Sequence, residues 1–211
     1  DLITMLDNVI EYFVENCPDS LSRAKFSASM ERSLGLGAMG FHSYLQRHNV
    51  ALESQKAQML NIDMFAYIKA VAKMQSKLLA VDRGEAPDMV GTGMRNAHLL
   101  AIAPNASSSI LLSTSPSIEP SKANAYTHRT RAGSFLVKNP YLEQYLSSIG
   151  RNTNGVWTDI ITNSGSVQHL DFIEDSVKEV YKTSFVFFPL NIFTISHNTR
   201  TFIDVSKFCN T

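Results

Sequence analysis

An α/β fold with long helices and a β-hairpin is what this sequence predicts, and three observations carry it. Apolar residues recur at helical spacing over long stretches, from Leu2 to Phe13 and from Gln55 to Val81. Short, uncharged and largely apolar runs such as 97–102 stand between such stretches and read as strands. Ala132-Gly133 separates two strand-like runs and marks a tight turn. The 211 residues are 44% hydrophobic, enough to bury a core. Lys plus Arg and Asp plus Glu balance at 19 each, so the formal net charge is zero. That argues against a dominant nucleic-acid or anionic-membrane surface, since both need a cationic excess. No apolar run approaches the ~18–20 residues of a membrane span, and Phe185-Val186-Phe187-Phe188-Pro189-Leu190 is too short.

Taken in order, Leu2, Leu6, Val9, Ile10 and Phe13 predict a first helix, which Pro18 ends. Ser33 to Gly40 carries three glycines, and Gly35-Leu36-Gly37-Ala38-Met39-Gly40 satisfies the dinucleotide string GxGxxG. No acidic ribose ligand closes a βαβ unit about twenty residues on, where a helix lies instead. The glycines are therefore read as positions of close backbone packing. The helix from Gln55 to Val81 is expected to bury Leu60, Met64, Tyr67, Ile68, Val71 and Leu78, and to end at Asp82-Arg83-Gly84. Met59, Met64 and Met74 read as core filler. A loop from Met89 to Asn96 leads into a strand over 97–103. Tyr126–Arg131 and Ser134–Lys138 form the hairpin, and Pro140 opens a helix through Ile149. Thr158–Asn163 and Phe172–Ser184 read as further helices, whereas Asn191–Asp204 fits no single period.

Cys17 and Cys209 lie far apart, and no CxxC or His/Cys cluster with zinc spacing exists, which suits a reducing compartment. Cys209 reads as a buried thiol and His128, Arg129 and Arg131 as a solvated strand face. Tyr126 and Tyr141 look like packing residues. Phe185, Phe187, Phe188, Ile192, Phe193 and Ile195 form an apolar cluster expected to be docked.

The most informative stretch is Ala101-Ile102-Ala103-Pro104-Asn105-Ala106-Ser107-Ser108-Ser109. It contains no charged residue. An apolar run ending in Pro, Asn, Ala and serines can aim several backbone N–H groups into one space, and a helix starting there adds its dipole. A neutral loop holds a phosphate in this way, by main-chain donors rather than Lys or Arg. The same residues also suit a simple helix cap by Asn105 or Ser107.

A family resemblance emerges from the motifs taken together. They are Ser33-Leu34-Gly35-Leu36-Gly37-Ala38-Met39-Gly40-Phe41, Met94-Arg95-Asn96-Ala97, Pro104-Asn105-Ala106-Ser107-Ser108-Ser109, Ser117-Ile118-Glu119-Pro120, Asn124-Ala125-Tyr126-Thr127-His128-Arg129-Thr130-Arg131-Ala132-Gly133-Ser134-Phe135 and Asn139-Pro140-Tyr141-Leu142. In this order and spacing the chain resembles the C-terminal part of the large, catalytic subunit of class I ribonucleotide reductases, of phage and bacterial type. The resemblance implies the C-terminal half of a ten-stranded α/β barrel. It implies that the serine-rich loop, Pro104, Asn105, Ala106, Ser107 and Ser108, binds the diphosphate of a ribonucleoside diphosphate. It implies reduction of that substrate to the deoxyribonucleotide by radical chemistry.

The family's finger loop carries Asn-x-Cys-x-Glu, and no such pattern occurs here; Cys17 follows Asn16 directly and precedes Pro18. No catalytic residue is therefore expected in this chain, which should be inactive without the N-terminal half of the large subunit. The whole chain, 1–211, is expected to form the C-terminal portion of the barrel domain. Residues 1–185 carry the match, and 186–211 diverge in a manner that suits a diverged, frameshifted or split gene. No metal or cofactor is expected to bind this chain directly. A metal-containing small subunit would supply the radical, and nucleotide effectors would bind elsewhere on the large subunit. Expected partners are that N-terminal half, the small subunit and the ribonucleoside diphosphate, in an oligomer, in the cytoplasm (of a host, for a phage gene). A non-catalytic remnant acting as a scaffold or assembly partner is the alternative.

Overall fold

The computed structural model describes residues 1–131 and 133–186. The described residues divide into two compact units, one combining Asp1–Gly37 with Asn61–Ala103, the other Ala38–Leu60 with 104–186.

The first unit holds α1 (Leu2–Asn16), α2 (Ser22–Glu31) and most of a long helix that begins in the second unit at Gln55. Ile3, Leu34, Ala72, Leu79, Leu99 and Leu100 form its apolar centre. α1 ends one residue before Pro18, with Cys17 extended at the C-cap, as expected from the restriction that proline places on the residue before it. Leu34–Leu36 runs beside the chain after His98, with Leu34 N–H donating to His98 O at 2.8 Å and Leu36 N–H to Leu99 O at 3.0 Å. Gly37 allows this approach, because a Cβ there would sit 2.5 Å from Ala101 O. The glycines thus serve close packing, as read from their spacing. The strand expected over 97–103 is not a full strand. Among the described residues this segment makes one parallel bridge, Leu36 to Leu100. Among the described residues no further strand joins these two short segments, and such strands are what stabilise a ladder.

Asp7 is the unit's polar keystone. Its carboxylate is fully buried and meets Arg95 Nε at 2.7 Å, Arg83 Nη1 at 3.0 Å, Arg32 Nε at 3.1 Å and Asn96 Nδ2 at 3.1 Å. Glu11 closes the network on Arg32 and Arg95. Burial alone would push the Asp7 carboxyl up. The hydrogen bonds and charges of Arg95 and Arg32 override that and hold it below the usual carboxylate range. The Met94-Arg95-Asn96-Ala97 motif thus has a structural role that its sequence did not disclose.

The long helix, α4 after the short α3 (Phe41–Arg47), runs Gln55–Arg83. Its length is as expected but its buried face is not. Tyr67 is 71% exposed, and Met59, Met74 and Leu78 are each more than half exposed. The buried row is instead Asn61, Phe65, Ala72, Ser76 and Leu79. Ser76 decides this, because its Oγ donates to Asn96 Oδ1 at 2.9 Å and accepts from Asn96 N–H at 3.1 Å. A satisfied buried hydroxyl and small side chains win the inner face, and the methionine-rich row is left outside.

The second unit contains α3, α5 (Ala106–Leu111), the hairpin β1 (Ala125–Thr130) and β2 (Gly133–Lys138), α6 (Pro140–Ser148), α7 (Asn154–Thr162) and α8 (Asp175–Val180). The strands pair antiparallel, with Tyr126 opposite Val137 and His128 opposite Phe135. Leu142, Leu146, Trp157, Ile160, Val167, Leu170 and Ile173 form the core. α7 starts before Thr158 because the Thr153 side chain caps it, accepting from Val156 N–H. The helix expected over Phe172–Ser184 shortens to α8. Val167, Leu170 and Ile173 owe their three-residue spacing to successive turns, closed by Leu170 N–H to Val167 O and Ile173 N–H to Leu170 O, both 3.1 Å. Apart from Phe185, which is 78% exposed, the apolar cluster expected around it lies outside the described residues, as does Cys209.

Candidate functional site

The serine-rich loop sits where the sequence placed it, at the start of α5. Asn105 occupies the N-cap position with left-handed backbone angles, φ 47° and ψ 32°, and its side chain makes no capping bond. The first helical bond is Ser109 N–H to Asn105 O, 2.9 Å. The amides of Ala106, Ser107 and Ser108 therefore have no acceptor within the helix. Pro104, Ala106, Ser107 and Ser108 are exposed and Asn105 is half-buried. Ser109 alone turns inward, its Oγ donating to Ala106 O at 2.8 Å. The arrangement presents neutral donors and the positive end of a short dipole to solvent. The side-chain cap, the alternative reading of this loop, is absent.

α5 is held by the chain that follows it. Ser43 N–H donates to Ser115 Oγ at 3.0 Å and Ser115 N–H to Ser43 Oγ at 2.8 Å, a reciprocal pair that ties the end of the loop to α3. Gly40 enters α3 at φ 86°, where a Cβ would strike Thr114 Oγ1. Ile118 is buried and Glu119 exposed, so Glu119 points away from the core.

A second polar node lies beside the hairpin, and no role for its members was legible beforehand. Asn139 Nδ2 donates to Gln46 Oε1 at 2.9 Å and to Asn124 Oδ1 at 3.0 Å. Asn139 Oδ1 accepts from the N–H groups of Tyr141 and Leu142, capping α6. Asn124 Nδ2 donates to Tyr181 O at 2.8 Å and Gly165 O at 3.1 Å. His42 is fully buried next to this node. Its Nδ1 accepts from Ser121 N–H at 3.0 Å, so its proton sits on Nε2. Burial pushes its pKa down to about 4, leaving it neutral. The only advance signal for the node was Asn139-Pro140, a cap followed by proline at the first helical position.

Arg129 and Arg131 are exposed and His128 half-buried on the hairpin, in line with a solvated strand face. Among the described residues no group of three or more His, Cys, Asp or Glu could hold a metal ion. Among them too, no helix is long and apolar enough to cross a membrane.

The geometry describes a mixed helix and strand chain in which α5 starts with exposed backbone donors, and comparison with known proteins places it in a family. The family described as ribonucleotide reductase, barrel domain, matches residues 2–92 and 86–211. A Frog virus 3 (isolate Goorha) protein, described as a candidate ribonucleoside-diphosphate reductase large subunit, is 52% identical over 187 residues, covering 87% of this chain and 33% of its own length. The ribonucleoside-diphosphate reductase large subunit of Invertebrate iridescent virus 6 is 41% identical over 215 residues, covering 100% of this chain and 22% of its own. Among solved structures, the Actinobacillus ureae class Id ribonucleotide reductase alpha subunit is 37% identical, with a TM-score of 0.86 over 96% of this chain and 38% of that one. The chain belongs to the ribonucleotide reductase family, within the barrel domain of its large subunit. It spans between about a fifth and a third of the length of these curated relatives.

Proposed function

We propose that this chain supplies the substrate-diphosphate loop, and a portion of the barrel over 1–211, of a ribonucleoside-diphosphate reductase large subunit. The observation that carries the proposal is the unpartnered, exposed start of α5. Its amides at Ala106, Ser107 and Ser108, with the hydroxyls of Ser107 and Ser108, receive the diphosphate of a ribonucleoside diphosphate. Pro104 and Asn105 set the turn that aims them. These groups bind and orient; they make and break no bond. The reducing thiols belong to the rest of the large subunit, and a metal-containing small subunit supplies the radical when bound. Nucleotide effectors act elsewhere on the large subunit. The exposed apolar row of α4 gives a face for the remainder of the large subunit or for a second copy, in an oligomer that works in the cytoplasm without nucleic acid or membrane.

The test is nucleoside-diphosphate binding by this chain reconstituted with the remainder of a large subunit. Ser107→Ala is expected to cost about 0.5–1.5 kcal/mol of affinity, the scale of one hydrogen bond. Ser107→Pro is expected to cost more, because it deletes one of the open amides. Equal binding by the parent and both variants would remove the loop from the substrate site and favour the non-catalytic scaffold.

A further inference from the structure

The second unit contains a cavity of about 400 Å³ that the proposed diphosphate loop does not use. Ser109 and Ile110 of α5 border it, with Tyr126 and Val137 at the base of the hairpin and Lys122 and Phe185 as exposed lining residues. Of the loop residues assigned to phosphate, only Ala106 touches it.

The chemistry of the lining is specific. It is mostly apolar, and no Asp or Glu contributes to it among the described residues. Two lysines do. Lys138 is committed, with its Nζ 3.1 Å from Glu143 Oε1 and 4.9 Å from the centre of the Trp157 ring. Asn124 and Asn139 are committed to the polar node described above. Lys122 has no acidic partner among the described residues. The cavity therefore offers apolar and aromatic walls and, among its lining, one exposed lysine without an acidic partner among the described residues. Its volume lies at the small end of the range typical of ligand sites. A single uncompensated charge suits a monoanion. Phosphate esters and diphosphates carry more charge at neutral pH than one ammonium offsets.

We propose that this cavity is a binding site for a flat aromatic monocarboxylate, with its rings on the wall formed by Ile110, Tyr126 and Val137 and its carboxylate on Lys122. The site shares only Ala106 with the diphosphate loop and does not depend on that assignment.

The experiment uses the full chain and 2-naphthoate as the probe, read by saturation-transfer NMR and by titration calorimetry. Binding with a dissociation constant of about a millimolar or tighter is expected for a ligand of this size. Lys122→Glu should weaken it about tenfold or more, whereas Lys122→Arg should stay within about threefold. Val137→Trp should fill the cavity and abolish the signal. Circular dichroism and thermal melting check that each variant stays folded; Lys122 is exposed, so its replacement leaves the core intact. Absence of binding by the parent at several times the expected constant would overturn the proposal. So would binding indifferent to both Lys122→Glu and Val137→Trp, or full displacement by inorganic phosphate.

Discussion

Two helices of the same unit begin at an asparagine, and they begin differently. At α6, Asn139 has extended backbone angles, φ −69° and ψ 117°, and its side chain accepts from Tyr141 and Leu142 N–H. At α5, Asn105 is left-handed and its side chain accepts from neither the second nor the third amide. The residue type is shared; the backbone conformation decides what it does. An extended N-cap swings its side chain over the first turn, as at most helix starts. A left-handed one does not, and the first-turn donors stay open. The closed start lies within the buried polar node, and the open start faces solvent. An asparagine before a helix therefore marks a structural joint in one place and leaves first-turn donors exposed in the other.

Breaking the closed start should have the largest effect. Asn139→Ala removes a cap worth about 1 kcal/mol and strips the donor from two acceptors, Gln46 Oε1 and Asn124 Oδ1, at a further ~1–3 kcal/mol. Denaturant unfolding should show a loss of about 2–4 kcal/mol. A loss below about half a kcal/mol would mean that the node carries no weight.

The pH dependence of stability probes the same surroundings through His42. Its folded pKa, about 4, lies below the ordinary value of 6.5, so the unfolded chain binds the extra proton first. The stability from keeping it neutral is complete above pH 6.5 and is lost progressively as pH falls from 6.5 toward 4. The full span is on the order of 3 kcal/mol. His42→Gln should flatten that slope in unfolding measured from pH 7 to pH 4.5. An unchanged slope would assign the loss to other groups.

The open start should respond least. Asn105→Ala places a Cβ-bearing residue without asparagine's tolerance at φ 47° and is expected to cost about 1 kcal/mol. Asn105→Gly suits that conformation and should change stability by about zero. A large loss for the glycine variant would show that the Asn105 side chain holds the loop after all.

Much of this protein was legible in its amino-acid order. The α/β class, the hairpin around Gly133, the helix opening at Pro140 and the loop Pro104–Ser108 all rest on local chemistry. Proline's fixed φ, glycine's lack of a Cβ and an uncharged donor-rich turn act over a few residues and need no distant partner. Tertiary structure alone decided which side of α4 lies inside. Periodicity pointed to the row of Tyr67, Val71 and Leu78, but Ser76 found Asn96 across the fold, and a paired buried hydroxyl outweighed an apolar stripe. It decided that Asp7 would gather three arginines whose positions lie 25, 76 and 88 residues away. It also decided that Asn105 would turn left-handed where Asn139 stayed extended. These outcomes depend on where hydrogen-bonding groups meet once the chain has closed, and on desolvation that penalises each one left without a partner.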